Sequence, residues 1–350
     1  MRVGTFVLAA QFPGQGQAEA LHRAVRSAEA AEAAGLDSVW LAEHHFVPYG
    51  VCPSAVTLAA LLLGRTCRIG VGTAVSVLPS VHPVALGEQA ALLHIASGGR
   101  FTLGVGRGGP WVDLEVFGAG LEAYESGFPE SLDLLLRWLN EPRVGVSGPR
   151  FSFREVPVVP RPDELDEPPG PPVVVACTSP ASVRLAAERG LPMLLGMHCG
   201  DEEKAGMVAM WQAEARAAGI SPEMVARTGA EHVSAGVVQI ADTRADAAET
   251  LTKAMPGWLQ RGLGAHVTVD GRQRSMRDPL AYTELLCDLH PVGPPALCAD
   301  RLATTAERTG ITRFALLVEG SGDLATTEAN VARLGSEVLP QLAGSDTSQD

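Results

Sequence analysis

The chain has 350 residues, 46% of them hydrophobic, and 27 basic against 40 acidic side chains give a net charge of −13. The length suits one large α/β barrel or two ordinary domains, and the apolar content excludes a chain without a core. The acidic balance argues against nucleic acid or an anionic membrane as main partner, no apolar run approaches the ~20 residues of a membrane helix, and no leader is evident, so a cytoplasmic protein is expected.

In chain order, 2–8 (RVGTFVL) reads as a strand and 17–34 as a helix, with Leu21, Val25, Ala28 and Ala31 on one face and Gly35 as its stop. The second strand, 36–41 (LDSVWL), runs into Glu43, His44 and His45, three titratable side chains where a core strand would stay apolar or turn. A helix over 55–65, a strand over 68–75 (RIGVGTAV) and a helix over 84–97 follow. The strand 101–106 (FTLGVG) leads into Gly106-Arg107-Gly108-Gly109, and then a helix covers 128–140. Seven prolines in 157–172 forbid helix or central strand there, so about 150–172 is read as a surface insertion.

The strand 173–177 (VVVAC) meets Thr178-Ser179-Pro180-Ala181-Ser182 and a helix over 181–189. Beyond it come a strand at 193–196, a helix at 202–218, a strand at 233–240 and a helix at 243–255. An irregular stretch over 262–295 reads as a mobile lid. A helix at 296–309, a strand at 313–318, a helix at 324–340 and a disordered tail at 346–350 complete the chain.

Eight largely apolar strands alternating with helices predict class α/β, a single (β/α)8 TIM barrel with insertions over 1–345. A doubly wound sheet is the alternative, and Gly14-Gln15-Gly16 lacks the third glycine of a dinucleotide-binding turn. The cysteines at 52, 67, 177, 199, 287 and 298 form no CxxC pair and no metal-ligand spacing, so a reducing compartment and no metal are expected. Only Lys204 and Lys253 are lysine, leaving 25 of 27 basic residues as arginine, the mark of a GC-rich genome.

Barrel active sites lie where strands end. Adjacent residues at a strand end point to opposite sides, so one of His44 and His45 must face inward. His45, His82 and His198 are as readily structural as functional. Ser179 is placed as an N-cap with Pro180 at the first helical position, and a helix start suits a phosphate. Arg107 among glycines lets a guanidinium and bare backbone approach the same anion.

EHHF at 43–46, LLGRT at 62–66, VGTAVSVLPSVHPV at 71–84, GRF…GVGRG at 99–108, VFG at 116–118, GLPMLL at 190–195, HPVGPP at 290–295 and TGI at 309–311 stand in one collinear series. With them the chain resembles the bacterial luciferase-like flavin-dependent monooxygenases, most of all the luciferase α-subunit branch, almost end to end. The resemblance implies the same barrel and a two-component enzyme. It would take reduced FMN from a separate flavin reductase, let O2 add at the flavin C4a carbon, and oxygenate a small organic substrate. It assigns the proton-managing role to His44, with His45 and Glu43 in support. It places a non-proline cis peptide beside the flavin ring at Ala74-Val75. Phosphate contacts fall on Arg107, Ser179 and Ser182, with backbone from Cys177 and Thr178.

The chain also departs from the family pattern. Glu125 stands where the α-subunit has a second phosphate-binding arginine, and like charge there is repulsive. Gly106 replaces a reactive cysteine and is expected to open space near the ring, and Met197 replaces a tryptophan. These changes favour a larger or flatter substrate, such as an aromatic polyketide of antibiotic biosynthesis, over a straight-chain aldehyde. The alternatives are an F420-dependent oxidoreductase, a long-chain aldehyde luciferase, or a non-catalytic partner subunit or flavin-binding protein. The family dimerises through helices near strands two and three, which implies a homodimer through 55–65 and 84–97.

Overall fold

The computed structural model describes residues 1–165, 170–272 and 277–344; the tail expected at 346–350 lies outside them. Eight parallel strands form the barrel: β1 (Arg2–Val7), β2 (Ser38–Leu41), β3 (Gly70–Thr73), β4 (Phe101–Gly106), β5 (Val173–Cys177), β6 (Met193–Leu195), β7 (Val233–Val237) and β8 (Arg313–Leu317). They pair in chain order, Thr5 opposite Val39 and Leu103 opposite Val173, and the ring closes where Arg2 meets Arg313.

Alternation along each strand sends Val3, Val39, Leu41, Phe101, Leu103 and Val105 outward to the helices. Phe6, Trp40, Val174, Leu194 and Leu317 point into the barrel. Burial on both faces is why these strands read as unbroken apolar runs. Trp40 is fully buried and its Nε1 donates to Ser38 Oγ at 3.0 Å, so the largest interior side chain is also hydrogen-bonded.

Several boundaries differ from the sequence reading, each for a tertiary reason. The run 68–75 is interrupted: the Ala74–Val75 peptide is cis, and pairing resumes at Ser76–Val77 opposite Val105 and Gly106. The run 233–240 likewise splits, with Gln239 and Ile240 leaving the barrel to pair with Val292 and Gly293.

The first helix (Gln17–Ala33) buries Ala20, Arg23, Ala24, Ser27, Ala28 and Ala31, while Leu21 stays at the surface. Of the expected face, Ala28 and Ala31 are buried and Val25 packs against the core, and the stripe extends toward Arg23 and Ser27 in place of Leu21. Alanines let the helix lie close on the barrel, and Arg23 is drawn inward because its Nε lies 3.4 Å from the buried carboxylate of Glu319. The other oxygen of Glu319 accepts from the backbone N–H groups of Leu8 (2.7 Å) and Ala9 (3.1 Å), tying the ends of β1 and β8 together.

The insertion begins earlier than 150. Arg143–Ser147 and Ser152–Pro157 form an antiparallel ribbon whose Val144 packs with Val158, Leu134 and Trp138. The alternation that buries Val144 is short and half exposed, which hid it from a reading centred on the prolines. About half of the segment 262–295 is regular. One helix runs on to Gly264, a second spans Pro279–Leu289, and Asp278 caps the latter by accepting from the Ala281 N–H at 2.8 Å. Asp278-Pro279 is a helix-start signal legible in the sequence itself. Among the described residues no helix is long and apolar enough to cross a membrane.

Candidate functional site

At the carboxyl ends of β4 and β5 a cavity of about 350 Å³ is lined by Val75, Gly106, Arg107, Tyr124, Glu125, Thr178, Ser179 and Ser182, among others. The chain direction explains this convergence. β4 delivers Gly106 and Arg107, β5 delivers Thr178 and the helix Pro180–Glu188, and the cis peptide turns Val75 toward them.

Ser179 caps that helix in a reciprocal box. Its Oγ accepts from the Ser182 N–H (3.3 Å), and Ser182 Oγ accepts from the N–H groups of Thr178 and Ser179 (both 3.1 Å). The exposed Arg107 guanidinium lies over the Tyr124 ring, 4.1 Å from its centroid. Among the described residues it forms no ion pair, so its charge is available to an anion. Cys177 is buried outside the lining, and burial pushes its thiol up to about 12, which leaves it unreactive.

Gly106 does not open space. A Cβ there would lie 2.5 Å from Val75 Cγ2, so the volume released by a side chain at 106 is already taken by the valine. Ala74, Val75 and Met197 pack on the barrel interior, and of the three Val75 lines the cavity. Met197 is held from behind, its carbonyl accepting from His290 Nε2 at 2.6 Å.

His44 follows β2 and borders the barrel mouth, not this cavity. Its ring stands edge-on to Tyr49 at 5.0 Å, and Tyr49 lies flat on Trp258 at 4.8 Å. Gly50 makes the seat possible: a Cβ there would come within 2.8 Å of His44 Nδ1. That Nδ1 is buried, with no hydrogen-bond partner among the described residues. Burial first, then the neighbouring His266 and His45, push its pKa down to about 3, so the imidazole is neutral at physiological pH.

Glu43 and His45 face away, toward a second cavity of about 200 Å³. The Glu43 carboxylate accepts from the Ala55 and Val77 N–H groups, each at 3.0 Å, with His45 Nε2 3.5 Å away. It therefore ties the His44 loop to the next helix and to the strand beyond the cis peptide. Glu43→Gln sets an amide donor against one of those N–H groups and is expected to cost about 1–3 kcal/mol. Calorimetry should find Tm lowered by several degrees, and an unchanged Tm would show that the tie carries no weight.

His82 caps the helix Pro83–Ala96, its Nδ1 accepting from the Val84 N–H at 3.2 Å, and is structural. Sequence reasoning missed Tyr49, Trp111, Tyr124 and His266. Trp111 pairs with Thr268 in a short bridge, flanked by hydrogen bonds from the Val112 N–H to Val267 O and from the Val269 N–H to Pro110 O. Its ring meets His266 at 4.3 Å, so the loop after β4 is stitched to residues 265–270 across the mouth. No local pattern announces contacts between segments this far apart. Among the described residues no cluster of three or more His, Cys, Asp or Glu could hold a metal ion.

A model of the luciferase-like monooxygenases matches residues 1–313. The alkanal monooxygenase α chain of the Kryptophanaron alfredi symbiont is 28% identical, the match covering 98% of each chain. Among solved structures, monooxygenase RslO1 from Streptomyces bottropensis superposes with a TM-score of 0.80 at 23% identity, over 97% of this chain and 99% of that one. The oxygenating constituent of 3,6-diketocamphane monooxygenase from Pseudomonas putida, solved in complex with FMN, gives 0.75 at 21% identity over 98% of each chain.

Proposed function

Because the chain belongs to the luciferase-like monooxygenase family, we propose that it is the oxygenating half of a two-component, flavin-dependent monooxygenase acting on a small organic molecule. The observation that carries this reading is the cavity in which Val75 of the cis peptide, Arg107 and the capped helix start face one another. Arg107, Thr178 and Ser179 would hold the phosphate of FMN there, and Ala74, Val75 and Met197 would seat its ring. Bound in reduced form, FMN supplies the electrons that let O2 yield one oxygen atom to the substrate and one to water.

The chain's own residues do the rest. His44 is uncharged at neutral pH and would hold a proton at Nε2 by hydrogen bonding, since its Nδ1 is sealed against Gly50. Tyr49, Trp258, Trp111 and His266 cover the mouth and would keep water out. The half-buried rings of Trp111 and His266 support a planar, aromatic secondary metabolite as substrate, as does the arginine-rich composition. On the resemblance alone, the protein is read as a cytoplasmic homodimer served by a separate reductase.

A second reading, a partner subunit without flavin, draws on Glu125 at the cavity. Anaerobic titration with reduced FMN followed by a pulse of O2 decides between them. The expected result is saturable binding and a transient absorbance distinct from reduced and oxidised flavin. Direct return to oxidised FMN at the protein-free rate sinks the oxygenase reading, and tight F420 binding without FMN binding reverses the choice of cofactor.

A further inference from the structure

Among the described residues, the walls of the cavity at the ends of β4 and β5 carry one cation, Arg107, and one anion, Glu125. Every other lining side chain is uncharged at neutral pH, so the fixed charges cancel. Arg150, near the start of the helix Phe128–Asn140, has its own carboxylate, Glu122, at 3.9 Å and adds no net charge.

Backbone donors do not make up the difference. The N–H groups of Thr178, Ser179 and Ser182 are already accepted by the two serine hydroxyls, and Ser182 Oγ donates to Ser179 O at 2.8 Å. A dianionic group entering here meets a single guanidinium, an opposing carboxylate and a helix start whose amides are largely spent. A flavin without the phosphate forgoes little.

Resting on the reading of this cavity as the phosphate end of a flavin site, we infer that the protein does not select for the flavin phosphate. It takes riboflavin with an affinity close to that for FMN, and Glu125 is the residue that removes the preference. The ring and the sugar chain, seated on the apolar residues beside Val75, then carry most of the binding. This suits a flavin that arrives reduced and departs oxidised, since neither form is held by a strong anion clamp.

The test is calorimetric titration of the full-length protein with oxidised riboflavin and oxidised FMN in low-salt buffer. A ratio of dissociation constants below tenfold is expected. Glu125→Gln should tighten FMN by about fivefold to tenfold and move riboflavin less than twofold, because only FMN carries the charge that the carboxylate repels. Glu125 is exposed in a short helix, so the variant keeps the fold. A wild-type preference for FMN of tenfold or more, or a ratio unmoved by Glu125→Gln, overturns the inference while leaving the flavin reading standing. Binding of neither flavin, whether oxidised or reduced under anaerobic conditions, overturns both.

Discussion

His44→Ala is expected to shorten the lifetime of the O2-dependent transient, and to lower productive turnover, by about 10²- to 10⁴-fold, the usual range for removing a positioned proton-handling group. FMN affinity should change less than threefold, because His44 does not border the cavity that holds Arg107 and the serine cap. That split between chemistry and binding separates a catalytic role from a structural one. A variant that merely disturbed the rim would weaken both. Stopped-flow mixing of the reduced complex with O2 reads the first quantity and flavin titration the second. With the pKa of His44 held near 3 by burial, the wild-type lifetime should show no inflection from this group between pH 5 and 9. An inflection near pH 6.5 that vanishes in His44→Ala would mean that the ring is solvated and ionises normally.

Acid should destabilise the fold steeply, and three buried histidines, His44, His232 and His290, set the slope. His232 is buried and its Nδ1 accepts from the Met193 N–H at 3.0 Å, with its ring edge-on to Trp211; burial lowers its pKa to about 4. His290 is buried behind Met197, and burial first, then Lys204, lowers it to about 3. Both folded-state values lie below the 6.5 of the unfolded chain, so the unfolded state binds more protons as pH drops. Stability from these groups is fully present above pH 6.5 and is lost as pH falls through 4 and 3. With His44, also held near 3, three such groups imply a slope of about 3–4 kcal/mol per pH unit between 6 and 4. Glu319, whose carboxyl is raised by burial, acts in the opposite sense and moderates the loss. Urea unfolding from pH 8 to 4 measures the slope. In a double variant, His232→Gln with His290→Gln, it should fall by more than half even though the starting stability is lower. An unchanged slope would place the acid sensitivity elsewhere.

Much of this molecule is legible without coordinates. The strands are apolar on both faces because a parallel barrel is covered on both, and that signature needs only the order of residues. The serine cap at Ser179 and Pro180 is local chemistry within four residues, and the structure shows that cap. The cis peptide at Ala74–Val75 is where the collinear motifs placed it.

What the sequence could not decide is what depends on neighbours distant along the chain. That the face buried by the first helix includes Arg23 was settled by Glu319, some 300 residues away, which draws the guanidinium inward. That Gly106 gives up its space to Val75 follows from one turn at the cis peptide. Alternation at the strand end already required one of His44 and His45 to face inward; the loop after β2 decides which, sending His44 to the barrel mouth and Glu43 with His45 to a second cavity. Composition and periodicity report burial and local hydrogen bonding, which belong to single segments. Charge balance in a cavity and stitching across a mouth are sums over several segments, and only the closed barrel performs them.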